Sequence, residues 1–197
     1  MLHCKTPIRS VAVALWLLLE MSVIVAPQVM SVNDPGDFLV RSTARLAVAF
    51  WAVAAVLMIH RYSGARLIWS LACAAYLIHV ATAFEYAHHW SHAAAFQHVK
   101  DSSGVGEGIF VSYFFTALWT FDACWRWLSR CSYEARPCWL GWAIHGFMVF
   151  IIVNGTVIYE DGVIRWVSAV VLTSLTILLV RSRQQANQAK CHPTKAI

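Results

Sequence analysis

The stretch LIWSLACAAYLIHVATAFEY, residues 67–86, decides the fold class of this chain. It runs for 20 residues, and only His79 and Glu85 interrupt it with strongly ionisable side chains. An α-helix needs roughly 20 predominantly apolar residues to cross the hydrocarbon core of a bilayer. The stretch is too long for a barrel strand of about 10 residues, and it lacks the strict alternation of apolar and polar residues that such strands show. We therefore expect a transmembrane helix here.

Similar apolar stretches lie on both sides of this one. The chain is 59% hydrophobic and only 13% charged, whereas soluble domains carry roughly a quarter charged residues. We therefore predict an all-α polytopic membrane bundle of about six transmembrane helices that forms a single domain, with a short cytoplasmic tail at 181–197. The predicted spans are residues 10–30, 43–59, 67–86, 109–128, 139–159 and 163–180.

The distribution of basic residues predicts the orientation of the bundle, because cytoplasmic loops of membrane proteins are enriched in Lys and Arg. Six spans place 11 of the 15 basic residues on one side: Lys5, Arg9, Arg61, Arg66, Arg126, Arg130, Arg136, Arg181, Arg183, Lys190 and Lys195. The other side holds the remaining 4, which are Arg41, Arg45, Lys100 and Arg165. We therefore expect both termini in the cytoplasm. The first span is expected to be retained, because it ends without the small-residue pattern of a signal-peptide cleavage site.

The net charge of +5 does not indicate nucleic-acid binding, because the basic residues are spread between apolar runs and form no basic patch. We expect the lipid bilayer as the main partner and no nucleic acid. A second copy of the chain or another membrane protein could pack against the bundle, but no motif identifies one.

The segment HVATAFEYAHHWSHAAAFQH, residues 79–98, contains five of the nine histidines. If the helix continues past residue 86, the side chains of Glu85, His88, His89 and His92 project from one face. His88 and His92 are one turn apart, and Glu85 precedes His88 by three residues. Both spacings occur in helix-borne metal sites.

Imidazole and carboxylate groups suit divalent transition metals such as zinc and iron. We therefore predict a metal site formed by Glu85, His88 and His92, with His89, His98 and Glu107 as additional candidate ligands. Two other interpretations of the same histidines stay open. They could be hydrated side chains at the membrane surface, or a patch that responds to pH near neutrality.

Four ionisable residues inside the predicted spans indicate an alternative function, because such residues often mark ion or proton pathways. Glu20, His79, Asp122 and His145 could form the polar path of a small proton-coupled transporter or channel. His79 is expected to face another span. Asp122 is expected to contact either His145 or Arg126, the latter one turn further along the same helix. Glu20 needs a hydrogen-bond partner or a proton.

A haem-binding membrane redox protein is a third interpretation, in which His79 and His145 would be the axial ligands. It is disfavoured because these residues differ in depth by roughly 10 Å along the membrane normal, given the rise of a helix. No set of catalytic residues can be identified, so the sequence does not decide whether the chain is an enzyme.

The stretches HVATAFEYAHHWSH (residues 79–92) and GVGEGIFVSYFFTALWTFDACW (residues 104–125) resemble those of a group of small multi-pass membrane proteins of planctomycete-type bacteria. The resemblance covers about the central third of the chain. It implies a location in the bacterial inner (cytoplasmic) membrane and no activity, because the group has no known function. The His88–His92 spacing also resembles a histidine box of membrane fatty-acid desaturases. Those enzymes carry several such boxes on the cytoplasmic side, so we do not expect their activity here.

Overall fold

The computed structural model describes residues 6–158 and 161–191 of the chain. Every regular element in this part is helical, which confirms the all-α class. The α-helices are α1 (Thr6–Val29), α2 (Pro35–Ile59), α3 (Ala65–Thr82), α4 (His92–Ser103), α5 (Gly108–Leu128), α6 (Arg130–Glu134), α7 (Cys138–Val153) and α8 (Gly162–Cys191). Two π-helical turns extend α3 and α7, namely π1 (Ala83–Ala87) and π2 (Asn154–Ile158).

Five helical segments are long and apolar enough to cross a membrane, judged by length and composition. Each overlaps one of the predicted spans, so the chain is a multi-pass membrane protein. The segments are Ile8–Val29, Pro35–Ile59, Ala65–Ala87, Cys138–Ile158 and Gly162–Gln185.

The fourth predicted span, residues 109–128, forms the 21-residue helix α5. It is not among the five segments above, and Asp122, Arg126 and several Trp and Tyr residues make it less apolar. Helix α5 nevertheless runs antiparallel to α3, which the side-chain pairs Trp69–Asp122, Cys73–Thr120 and Tyr76–Thr116 show. It therefore lies at the same depth in the bundle as α3.

Helix α2 begins eight residues before the predicted span at 43–59. Asp34 caps its first turn by accepting a hydrogen bond from the backbone N–H of Asp37 at 2.9 Å, and Pro35 occupies a favoured first helical position. Asp37 then pairs with Arg41 one turn later, at 2.8 Å. These polar contacts extend the helix beyond its apolar part.

Helix α8 continues to Cys191, well past the predicted end of the last span at residue 180. The first part of the predicted tail is therefore helical. Residues 192–197 of that tail lie outside the described residues, as do Tyr159 and Glu160 between π2 and α8.

Every second connection between the long helices lies at the same end of the bundle and carries basic residues. This end is here called the arginine-rich end. The Arg66 guanidinium lies 3.9 Å from the ring centre of Trp127, and that of Arg183 lies 3.9 Å from the ring centre of Trp142. Arg126 donates to the Sδ atom of Met58 at 3.4 Å. The grouping agrees with the charge pattern of the sequence, while the assignment of this end to the cytoplasm stays a prediction.

Small residues line the contact between α2 and α3, where Ala54, Ala72 and Ala75 are fully buried. Small side chains at helix contacts let two backbones approach closely in a membrane bundle. Next to this contact lies an aromatic cluster in which Tyr76 stacks on Trp119 with ring centroids 5.3 Å apart. The core thus combines close backbone packing with large aromatic rings.

Candidate functional site

A cavity of about 660 Å³, here called the main cavity, lies among α2, α3, α5 and the two π-helical turns, towards the end opposite the arginine-rich end. Its volume is within the range of roughly 300–1,000 Å³ that is usual for small-molecule sites. One part of its wall is polar, with Asp34, Asp37, Arg41, His79, His88 and His98. The deeper part is aromatic, with Trp51, Tyr76, Phe115 and Trp119.

Both π-helical turns contribute to this wall, π1 through Ala83, Tyr86 and Ala87, and π2 through Gly155 and Thr156. A threonine lies next to or within each of the two turns. Thr82, directly before π1, donates to the carbonyl of His79 at 2.8 Å, and Thr156 donates to the carbonyl of Ile152 at 2.7 Å. Such bonds from a side chain to the preceding helical turn compete with the backbone ladder and bend helices. They lie at both departures from α geometry.

His79 is held in the cavity wall by helix α2. Its Nδ1 atom lies 3.0 Å from the carbonyl oxygen of Val40, so Nδ1 carries the hydrogen and donates. Thr43 lies beside this contact and bonds Thr82 at 3.1 Å through its hydroxyl. In the neutral ring, Nε2 of His79 is then an acceptor. The prediction that His79 faces another span is confirmed.

The helical continuation past residue 86, on which the predicted metal site rests, is wrong. The helix ends with π1, and His89 and Trp90 adopt positive φ angles of 48° and 57°. The backbone N–H of Trp90 bonds the carbonyl of Phe84 at 2.9 Å, which closes the helix end. Ser91 then caps α4 by accepting a hydrogen bond from the N–H of Ala94 at 3.3 Å.

This break separates the proposed ligands Glu85, His88 and His92. Glu85 instead accepts a hydrogen bond from Trp90 Nε1 at 2.7 Å, and Nδ1 of His92 lies 2.9 Å from the hydroxyl of Tyr113. The further candidates His89, His98 and Glu107 are exposed. Within residues 6–158 and 161–191, no group of three or more His, Cys, Asp or Glu side chains is arranged to hold a metal ion. Binding of zinc or iron stays a prediction that this geometry does not favour.

The structure pairs His88 with His98 in the polar wall of the main cavity. Their ring centroids are 5.2 Å apart in an edge-to-face arrangement, and the ring of Phe84 also packs edge-to-face with His88, with centroids 5.5 Å apart. Burial lowers the pKa of His88 below its ordinary value, and the neighbouring imidazole of His98 lowers it further. His88 therefore presents a neutral ring at neutral pH.

Asp122 is fully buried at the arginine-rich end. It accepts hydrogen bonds from Arg136 Nη1 at 2.7 Å, from Trp69 Nε1 at 3.0 Å and from the hydroxyl of Tyr133 at 3.4 Å. Neither of the partners expected from the sequence, His145 and Arg126, forms this ion pair. A buried carboxylate such as Asp122 needs a cationic partner, so the sequence predicts that one exists. It does not identify Arg136 as that partner.

His145 and Tyr133 complete the surroundings of this ion pair. The ring of His145 packs edge-on against Trp69 with centroids 5.2 Å apart. The guanidinium of Arg136 lies 3.8 Å from the ring centre of Tyr133. Burial and the charge of Asp122 raise the pKa of Tyr133 to about 12.

A second space of about 600 Å³, here called the basic cavity, lies at the arginine-rich end and is lined by Arg61, Arg136, Tyr133, Trp142 and His145. Polar side-chain pairs step along α3 and α5 from the main cavity towards it: Tyr76–Thr116 at 3.0 Å, Cys73–Thr120 at 4.0 Å and Trp69–Asp122 at 3.0 Å. Three of the four predicted intramembrane polar residues, His79, Asp122 and His145, lie along or at the ends of this row. His79 and Trp69 are ten residues apart on α3, or about 15 Å along its axis, so His79 and His145 do not share a site.

Glu20 stands apart from this row. It lies in α1 and is only 3% exposed, and neither of its carboxyl oxygens has a hydrogen-bond partner among the described residues. A buried carboxyl group without a partner is expected to carry a proton, because an unpaired charge is costly to bury.

No protein-family model, curated protein or solved structure matches the chain. Its function is therefore inferred from the cavities and from the side chains that line them.

Proposed function

We propose that this chain is a membrane-embedded binding protein that holds a small molecule in the main cavity. The observation that carries the proposal is that two π-helical turns from distant parts of the sequence, at 83–87 and 154–158, lie on the wall of one cavity. π-Helical turns are rare and occur frequently at functional sites. Here they form the C-terminal ends of α3 and α7. The position of both turns in the wall of one cavity indicates that the shape of this cavity matters for function.

The chemistry of the wall supports the same proposal. Trp119 lines the cavity, and its buried Nε1 donor has no hydrogen-bond partner among the described residues. Buried donors without partners are uncommon in native proteins. Nε2 of His79 offers an acceptor in the same wall. One donor and one acceptor on a largely aromatic surface are what a site for a small organic molecule requires.

With the orientation predicted from the basic residues, the polar wall of the main cavity lies at the extracytoplasmic side of a bacterial inner membrane. The clustering of Arg66, Arg126 and Arg183 at the other end supports this orientation. The ligand would then reach the polar wall from outside the cell or from the outer leaflet.

Native mass spectrometry of the full chain, purified in detergent from its membrane, tests the proposal whatever the identity of the ligand. We expect the parent protein to carry a bound small-molecule mass. Val40→Phe, which places a larger side chain in the wall of the main cavity, is expected to lower its occupancy by about tenfold or more. Val53→Phe is the matched control, because Val53 is 51% exposed on the same helix and lines none of the described cavities.

A second variant guards against loss of folding in the first. Trp119→Phe removes the unpartnered donor while keeping an aromatic ring, and we expect it to lower occupancy at least severalfold, as the loss of one buried hydrogen bond worth about 1 kcal/mol would. A parent protein without any bound mass, or equal occupancy in all four proteins, would refute the proposal.

The row of polar pairs between the two cavities favours one other function, a proton-coupled transport path along α3 and α5. In vesicles containing the purified chain and a pH-sensitive dye, Asp122→Asn should abolish proton flux driven by an imposed gradient. Asp101→Asn is the control, because Asp101 is an exposed carboxylate that lines none of the described cavities. Flux that survives Asp122→Asn would exclude this path.

A further inference from the structure

A smaller space of about 240 Å³, here called the side cavity, adjoins the main cavity between α2, π2 and α8. Its wall is apolar apart from the polar side chains of Arg45, Thr156 and Ser168 and the ring of Trp51. Helix α8 contributes Ile164, Val167, Val171 and Leu172 to it. A polar molecule would lose its hydrogen bonds to water here with few groups to replace them. The side cavity therefore suits hydrocarbon.

The two cavities share a wall. Six residues line both of them: Ala44, Val48, Trp51, Ile152, Gly155 and Thr156. Two of these, Ala44 and Gly155, carry only a methyl group or no side chain, and a Cβ atom added at Gly155 would meet no atom within 4 Å. A molecule that occupies the main cavity thus lies directly beside the apolar space.

The charged groups of the polar wall are already engaged with one another or with backbone. Asp37 binds the Nε atom of Arg41 through both carboxylate oxygens at 2.8 Å, and Asp34 caps the start of α2. A strongly charged head group would have to displace these contacts. The groups that remain for a ligand include the indole N–H of Trp119, Nε2 of His79 and Nδ1 of His88, which has no hydrogen-bond partner among the described residues. These groups suit a carbonyl or a hydroxyl group.

We propose that the ligand is an uncharged amphiphile whose carbonyl- or hydroxyl-bearing head lies in the main cavity and whose hydrocarbon chain lies in the side cavity. This inference rests on the proposed function and names the chemical class of the ligand. Residues 44 to 52 of α2 line the side cavity over about 12 Å at 1.5 Å per residue, which is room for a chain and not only for a methyl group.

The side cavity also indicates how such a chain enters. None of the residues in the most apolar window of the α8 span is buried, so the helix that closes this cavity packs weakly against the rest of the bundle. The space between α2 and α8 therefore opens towards the lipid. An amphiphile dissolved in the bilayer can insert its chain there while its head enters the main cavity.

Photolabelling tests the placement of the chain. The probe is hexadecanol with a diazirine in the distal half of its chain, added to the detergent-purified full-length protein, with unlabelled hexadecanol as competitor. We expect competitor-sensitive labelling of Ser168 and Val171, which line the side cavity and are half-buried. Labelling of Val170, which is 65% exposed on the same helix, should be insensitive to the competitor because it reports surrounding detergent and lipid.

Val48→Phe places a larger side chain in the wall that the two cavities share and so reduces the space for the ligand. We expect it to lower the competitor-sensitive labelling about tenfold or more. Val53→Phe should leave the labelling unchanged. Labelling of α8 that ignores the competitor, or that is the same in Val48→Phe and the parent, would overturn the inference.

Failure of this inference can be told apart from failure of the proposed function. Competitor-sensitive labelling confined to main-cavity residues, or a bound mass in the native spectrum without a hydrocarbon chain, refutes the placement of the chain and leaves a small-molecule ligand established. A native spectrum without any bound mass refutes both.

Discussion

Asp122 and Trp119 lie one turn apart on α5, yet their polar groups have opposite surroundings. The carboxylate of Asp122 has three hydrogen-bonding partners, whereas the indole N–H of Trp119 has none among the described residues. The same contrast holds for the two ends of the bundle. At the arginine-rich end, the buried carboxylate is paired with a cation and with hydrogen-bond donors. The opposite end has the two π-helical turns and polar groups without hydrogen-bond partners among the described residues. Stability is expected to concentrate at the first end and ligand binding at the second.

The largest effect is expected from Arg136→Ala at the arginine-rich end. Asp122 would become an unpaired buried carboxylate, and the free energy of unfolding should fall by about 3–5 kcal/mol. Unfolding of the detergent-solubilised protein, followed by circular dichroism against added SDS, measures this.

Two matched variants sharpen the result. Asp122→Asn/Arg136→Ala should recover much of the loss, because the double variant buries no charge. Arg130→Ala removes an exposed ion pair with Glu134 and should not change stability measurably. A loss in Arg130→Ala as large as that in Arg136→Ala would contradict the importance given to burial.

A smaller effect is expected from Thr43→Val at the opposite end. The substitution keeps the side-chain shape and removes a buried hydroxyl that donates to the carbonyl of Leu39 at 2.7 Å and lies 3.1 Å from the hydroxyl of Thr82. The loss should be about 1 kcal/mol in the same unfolding assay. If Thr43→Val costs as much as Arg136→Ala, the two ends do not differ in the way described.

The smallest effect is a pH dependence at the polar wall of the main cavity. The pKa of His88 is lowered on folding from an ordinary value of 6.5, so the unfolded chain binds this proton first as the pH falls. The contribution of His88 to stability is fully present above pH 6.5 and is lost as the pH falls below 6.5, because protonation then favours the unfolded chain. Thermal unfolding of the parent and of His88→Phe at pH values on either side of about 6.5 measures the difference. A parent that gains stability relative to the variant on acidification would show the opposite sign.

The fold could be predicted because long apolar stretches have few solutions in lipid. A backbone without water must satisfy its own hydrogen bonds, and an α-helix does so within one segment. Hydropathy misplaces the start of α2 because helix caps are polar and do not contribute to an apolar stretch. The pair Asp34-Pro35 is nevertheless a recognisable helix start in the sequence. Helix α5 is identifiable by its length and aromatic content, and its contacts with α3 then show its depth.

The candidate site could be predicted only in part. The histidine-rich segment does line a cavity, but its geometry depends on the helix end after Ala87, where Ser91 is the available signal as a cap of the next helix. Arg136 lies 14 residues from its partner Asp122, in a connection whose path local sequence patterns do not determine. The cavities depend on how rings and small residues pack across several helices, which no local pattern encodes.

A π-helical turn corresponds to one residue inserted into an α-helix, and this gives the segment 83–87 an evolutionary meaning. Deleting one alanine there would restore a regular helix and rotate the helix end at residue 88 by about 100° relative to α3. His88 would then leave the cavity wall, and a different side chain would take its place. A single-codon deletion could thus exchange the groups that meet a ligand while leaving the membrane-spanning core unchanged.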